Sequence, residues 1–263
     1  MVKLAANLSM MFQELPFIDR FDAAARAGFA GVEFMFPYDH DAQQVAARAR
    51  QCGLEVALFN LPAGDWAGGE RGIAALPDRI EEFREGVAKA LDYARILGCP
   101  RLHLMAGKAL ASAENRSVLV ANIRHAADLA ADARVEILIE PINTRVDIPG
   151  YFYNTTAQAL SVIDEADRAN VRLQYDIYHM QIMEGDLART IDRLLPRIGH
   201  IQLADNPGRA EPGSGEINYP WLLSRIDALG YAGWIGCEYR PAGDTKAGLG
   251  WARDYLKSQE SMA

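Results

Sequence analysis

Eight short apolar runs alternate with eight longer segments of helical period, in unbroken order along the chain. The runs fall at about Lys3–Asn7, Gly31–Phe34, Glu55–Asn60, Arg101–Leu104, Ile137–Glu140, Val171–Asp176, Ile198–Leu203 and Trp234–Glu238. Each has the length and residue preference of a strand. Helices are expected between and after them, at about Phe17–Ala27, Asp41–Cys52, Asp78–Leu97, Asn115–Asp132, Thr155–Ala166, Asp186–Leu194, Pro220–Leu229 and Lys246–Lys257. Gly28, Gly53 and Gly98 stand where the first three should stop. Alternation of this kind predicts an α/β fold with a parallel sheet. Eight units in 263 residues predict one closed (β/α)8 barrel domain over residues 1–263 rather than an open doubly wound sheet. No Gly-x-Gly-x-x-Gly follows the first run, so a dinucleotide site lacks its fingerprint.

The connections that leave the C-terminal ends of the runs are the long ones, above all after the third, fifth and seventh. The opposite connections are short, as at Gly28-Phe29-Ala30 and Gly53-Leu54. In a barrel this asymmetry places the working face at the strand C-termini.

The runs end on Asn7, Glu33, Asn60, His103, Glu140, Asp176, Gln202 and Glu238. A barrel would bring these side chains to one mouth. Glu140, Asp176, Gln202 and Glu238 come from four consecutive strands and offer three carboxylates and an amide oxygen. That is a hard oxygen set, suited to Mg2+ or Mn2+. Without a cation, three crowded carboxylates repel and some stay protonated. A lone strand-end Glu is more often a cap or an ion-pair member than a ligand; four at equivalent positions shift the balance.

Other groups fall near the same face. His179 lies three residues past Asp176, placed to bind a substrate oxygen or move a proton, although a loop histidine is commonly just a satisfied polar group. His103 ends the fourth run, where a structural hydrogen bond and a role in the site weigh equally. Lys108 and Arg209 sit on loops of the same face and are candidates to pair with a substrate carboxylate. Glu33 and Asn60 complete the candidate substrate-binding set. The turn-rich Pro212–Glu216 stretch is read as shaping the loop around Arg209. Trp66 and Tyr151 are read first as packing within their own loops.

Composition removes whole classes. The net charge is −8, so a phosphate backbone offers no counterion-release gain and no nucleic-acid partner is expected. No apolar run approaches the roughly 18 residues of a membrane span. Residues 1–16 lack the continuous apolar stretch of a signal peptide. Cys52, Cys99 and Cys237 form no Cys-x-x-Cys pair, which fits a reducing, cytoplasmic setting. There is no Gly-x-Ser-x-Gly elbow to suggest a nucleophilic serine. Trp221, Trp234 and Trp251 could serve core or interface, so a homo-oligomer is compatible with the sequence.

Several longer stretches resemble the hydroxypyruvate isomerase family, within the xylose isomerase-like TIM barrels. They include Ala5–Met10, Gly31–Asp39, Asn60–Trp66, Glu140–Asn143, Asp147–Gly150, Gln174–Met180 and Gly236–Tyr239. The resemblance covers essentially the whole chain. It implies interconversion of hydroxypyruvate, a small 2-keto acid, and 2-hydroxy-3-oxopropanoate (tartronate semialdehyde), a step of glyoxylate metabolism, by proton transfer through an enediolate. It implies Glu140 and Glu238 as the proton-transfer pair, and Glu140, Asp176, Gln202 and Glu238 as metal positions. Many related ketose epimerases carry histidine where this chain has Gln202.

Rival readings are a 2-oxo-tetronate isomerase or ketose 3-epimerase on the same barrel. More remote is a metal-dependent phosphodiesterase or endonuclease, which would want clustered histidines and a basic face. A non-catalytic sugar-acid binding module would not need three converging carboxylates.

Overall fold

A computed structural model describes residues 1–256 of the chain. Eight parallel strands close into a barrel in sequence order. They are β1 (Lys3–Asn7), β2 (Gly31–Phe34), β3 (Glu55–Asn60), β4 (Arg101–His103), β5 (Glu136–Ile139), β6 (Val171–Asp176), β7 (Ile198–Leu203) and β8 (Trp234–Cys237). Closure is made by β8 on β1, with Lys3 opposite Trp234 and Ala6 opposite Cys237. The outer ring is α1 (Phe17–Arg26), α2 (Ala42–Gln51), α3 (Ile80–Leu97), α4 (Ala113–Ala131), α5 (Thr156–Ala166), α6 (Ile177–Met183), α7 (Leu187–Leu194) and α8 (Tyr219–Ala228). The expected (β/α)8 barrel is thus present. Among the described residues, no helix is long and apolar enough to cross a membrane.

Local chemistry explains the boundaries. Asp41, Ser112 and Thr155 each accept a backbone N–H from the first turn of the helix they precede. Such a cap is worth about 1 kcal/mol. Gly98 ends α3 at φ 67, a left-handed geometry that costs glycine little.

Two elements differ from the sequence reading. The expected last helix, Lys246–Lys257, is a 3-10 turn at Ala247–Ala252, and its final residue lies outside the described residues. Glycines at 248 and 250 weaken an α-helix there. Helix α6 was also not foreseen. It starts directly off β6, with Asp176 both ending the strand and capping the helix through His179 N. Its residues Ile177 to Met180 are buried, although the sequence suggested a loop after Asp176.

The inside of the barrel near the strand C-termini is polar. Glu33 Oε1 accepts from Asn7 Nδ2 at 2.9 Å and from Gln202 Nε2 at 2.8 Å. Glu33 Oε2 accepts from His200 Nε2 at 2.6 Å. Because β2 and β7 are not neighbours in the sheet, the bonds from Gln202 and His200 cross the interior. Gly236 of β8 makes room for them: a Cβ there would lie 2.1 Å from Glu33 Oε2.

Candidate active site

A cavity of about 520 Å³ opens over this polar network. Its walls come from the strand ends and from the loops after β1, β3, β4, β5, β7 and β8. The long connections noted in the sequence therefore do surround the cavity.

Three side chains bring ligating atoms within 4.8 Å of one another: Glu140, just past β5, Asp176, at the end of β6, and His179, in the first turn of α6. All three are buried. Glu238, just past β8, enters the cavity beside Arg209, its Oε2 accepting from Arg209 Nη2 at 3.1 Å. Burial pushes the Glu140 carboxyl well above the usual carboxylate range, and Glu238 and Asp176 push it further. Burial likewise raises Glu238, to about 8, with Arg209 opposing and Asp176 adding. Two carboxyls held toward their neutral forms beside one cavity have the character of an acid–base pair.

His179 is oriented with unusual completeness. Asn143 Oδ1 accepts the backbone N–H groups of Val146 and Asp147 at 2.9 and 3.1 Å, which fixes the direction of the amide. Asn143 Nδ2 then donates to Asp147 Oδ2 at 2.6 Å and faces His179 Nδ1 at 2.7 Å. Burial lowers His179 to about 4, so the ring is neutral near pH 7. With Nδ1 accepting, the proton sits on Nε2. That nitrogen points toward Glu140 Oε1 at 3.9 Å and Asp176 Oδ2 at 3.8 Å. His179 is accordingly arranged as a donor to something in the cavity, not as a metal ligand, even though it lies in the cluster.

Arg209 spans Asp147 at 2.8 Å and Glu238 at 3.1 Å. Its backbone is left-handed, φ 52, within a loop organised by Asp205, whose carboxylate accepts the backbone N–H groups of Asn206, Gly213, Gly215 and Ile217. The turn-rich stretch folds back on that carboxylate and so supports the Arg209 loop. Burial pulls the guanidinium down, but Glu238, Asp176 and Asp147 outweigh it and hold Arg209 firmly charged.

The other sequence candidates divide. His103 lines the cavity with Nε2 3.4 Å from Glu140 Oε2, and burial lowers it to about 3, so it is neutral. Asn60 lines the cavity, its Nδ2 on Met105 Sδ at 3.8 Å. Glu33 borders the cavity, with both oxygens engaged below it. Gln202 reaches the cavity, but Gln174 Nε2 donates to its Oε1 at 2.6 Å while its Nε2 holds Glu33. Its amide is thereby tied into the network of Glu33, although its backbone lies opposite Asp176 in the β6–β7 register. Lys108 does not line the cavity: it is exposed, with Nζ on the Gly69 carbonyl at 3.0 Å. Trp66 does line it, stacked with Arg71.

Roles for Asn143, Asp147, Gln174, His200 and Arg71 were not anticipated. For Asn143 and Asp147 a signal existed in the short polar spacing after Glu140. For His200 and Gln174 there was none, since each depends on a partner across the barrel.

Among the described residues, Glu140 Oε1 and Asp176 Oδ2 are buried with no hydrogen-bond partner. Orphaned carboxylate oxygens are costly unless something cationic meets them. An oxygen-seeking divalent ion fits this donor chemistry, with Glu140, Asp176 and Glu238 as the residues to hold it.

Comparison with known proteins agrees with this architecture. Residues 21–257 match the family described as Xylose isomerase-like TIM barrel. The 2-oxo-tetronate isomerase of Cupriavidus necator is 51% identical over 259 residues, covering 97% of this chain and 99% of that protein. The hydroxypyruvate isomerase of Escherichia coli is 50% identical over 97% of this chain and 100% of that protein. A crystal structure from Brucella melitensis, described as an AP endonuclease of family 2, superposes with a TM-score of 0.94 at 46% identity. It covers 98% of this chain and 100% of that one. Barrel, cavity and relatives converge, and the chain belongs to the xylose isomerase-like TIM barrel family, as an enzyme of the isomerase class.

Proposed function

We propose that the protein interconverts hydroxypyruvate and 2-hydroxy-3-oxopropanoate by proton transfer, with Glu140 and Glu238 as the two proton-handling groups. The observation that carries this reading is the pair itself: two carboxyls, raised by burial, lining one cavity on either side of Asp176 in the strand order. Hydroxypyruvate loses a C3 proton to a carboxylate, and the C–H electron pair becomes the C2–C3 double bond. Charge moves to the C2 oxygen. A proton then arrives at C2, the O3 hydroxyl proton passes to the C2 oxygen, and the aldehyde at C3 and hydroxyl at C2 result.

Each residue has a task in this sequence. One glutamate must be ionised to accept the C3 proton while the other is protonated to deliver one, and the repulsion of Glu238 on Glu140 opposes ionising both at once. His179 Nε2–H is aimed to donate to a substrate oxygen as charge grows there. Arg209 keeps Glu238 in place and holds positive charge beside it. A bound Mg2+ or Mn2+ would supply Lewis-acid stabilisation of the developing oxygen charge.

A four-carbon 2-oxo-tetronate is the second reading, favoured by the 51% identity to an isomerase of that name. The same pair would act, and a cavity of about 520 Å³ has room for the extra carbon. An endonuclease reading is disfavoured by the carboxylates that line the mouth and by the net charge of −8.

The test is turnover in deuterium oxide with hydroxypyruvate and 2-oxo-tetronate in parallel. Isomerisation should place deuterium at C3 of recovered hydroxypyruvate and at C2 of its product. Glu140→Gln and Glu238→Gln should each reduce incorporation by about 10²-fold or more. Wild-type protein that labels neither acid would end the proposal.

A further inference from the structure

The substrate proposed above is an anion, yet five of the residues lining the cavity that must receive it carry carboxyl groups. Glu140 and Glu238 are at the reacting centre, and Asp147 and Glu14 also face the space. An entering carboxylate is repelled there unless free cationic groups answer it. Arg209 already donates from its Nη atoms to Asp147 and Glu238, and only its buried Nε is without a partner. Lys108 lies outside the cavity.

Two guanidiniums remain. Arg240 lines the cavity, and among the described residues its side chain has no hydrogen-bond or ion-pair partner. It follows Glu238 by two residues, and its backbone N–H is pinned to the Arg209 carbonyl at 2.8 Å. Its point of departure is therefore fixed beside the acid–base pair. Arg71 comes from the loop after β3 and is held differently. Its guanidinium carbon lies 4.0 Å from the centre of the Trp66 ring, and Nη1 donates to the carbonyls of Trp66 and Glu70. Stacked and anchored at one nitrogen, Arg71 keeps Nε and Nη2 uncommitted, a planar fork matched to a carboxylate.

We infer that Arg240 and Arg71 form the subsite that recognises the carboxylate of the substrate, and that they select anionic acids over neutral sugars of equal length. The inference rests on the reaction site proposed above, but its test reads binding and can fail separately. The probes are D-glycerate, a three-carbon hydroxy acid that lacks the carbonyl needed to isomerise, and dihydroxyacetone, a neutral three-carbon ketose. Titration calorimetry is run on wild type, Arg240→Ala, Arg240→Lys, Arg71→Ala and the double alanine variant, each supplemented with the same divalent ion.

Glycerate affinity should fall about 10–100-fold in Arg240→Ala and further in the double variant, the range expected for lost charge-assisted hydrogen bonds. Arg240→Lys should recover only part, because an ammonium keeps the charge without the fork. Dihydroxyacetone binding should not move. In turnover, KM for the acid should rise more than kcat falls. A double variant that binds glycerate unchanged, losses equal for the acid and the ketose, or a wild-type protein without affinity for glycerate would each overturn the assignment. Wild type that binds glycerate through these arginines yet fails to turn over hydroxypyruvate would support the subsite and refute the reaction.

Discussion

Asn143 Nδ2 lies 2.7 Å from His179 Nδ1, and the amide cannot turn over, because its oxygen holds two backbone N–H groups. The neutral ring therefore carries its proton on the nitrogen that faces the cavity. Asn143→Asp replaces the amide donor by an acceptor and should move that proton to Nδ1, leaving Nε2 as a lone pair. Nitrogen NMR of the histidine side chains should show the exchange of tautomers, and turnover should fall about 10–100-fold, as for other losses of an outer hydrogen-bond partner. Unaltered His179 resonances with normal turnover would sink the assignment of His179 as donor.

The raised carboxyl of Glu238 has a thermodynamic signature. A carboxyl near 4.5 in the unfolded chain and near 8 in the fold favours folding in its neutral form. That contribution is fully present below about pH 4.5 and is lost as pH rises through about 8. Metal-free wild type should lose melting temperature between about pH 5 and 9 more steeply than Glu238→Gln, which cannot ionise there. Parallel curves for the two proteins would mean that Glu238 is not held toward its neutral form.

Chelation tests the orphaned oxygens of Glu140 and Asp176. Adding Mn2+ or Mg2+ to chelator-treated protein should raise the melting temperature, by an amount corresponding to about 2.7 kcal/mol at a hundredfold excess over Kd. Glu140→Gln should reduce the shift sharply, and metal analysis should show less retained ion. An identical shift in that variant would place the ion elsewhere.

Gly236→Ala probes the polar floor. The added methyl would sit 2.1 Å from Glu33 Oε2 and 2.3 Å from its Cδ, so Glu33 must leave its partners Asn7, His200 and Gln202. Overpacking of this kind costs about 1–3 kcal/mol. Urea unfolding should report a loss in that range, and a variant as stable as wild type would show the floor to be soft.

The barrel was readable because its signals are local. A strand-length apolar run, a following helical period and a glycine stop are all written within about ten residues of one another. The convergence of strand ends on one mouth follows from that architecture. The differences among those ends do not. Glu33 and Glu140 look alike in sequence, each closing an apolar run, yet Glu33 is bound on both oxygens and Glu140 keeps one bare. The difference is made by His200, 167 positions from Glu33.

Gln202 shows the same limit. Its residue type suggested a ligand oxygen, but the amide direction is set by Gln174 on one side and Glu33 on the other. Lys108 and Arg71 are both cations on loops of the active face, and only the folding of those loops separates them. Lys108 pairs with Tyr151 in an isolated antiparallel bridge and turns outward, while Arg71 lies on Trp66 and faces in.

Asp176 holds the start of α6 with one oxygen and leaves the other bare. The acid and the imidazole three residues later are thus mounted on a single helical turn, and their spacing comes from backbone geometry instead of loop packing. They form one prefabricated bracket, and a substitution of Asp176 would remove the helix cap together with the bare oxygen. A change in the size of the molecule accepted is then more readily made from the other walls of the cavity, in the loops after β1, β3 and β8, while the bracket stays put.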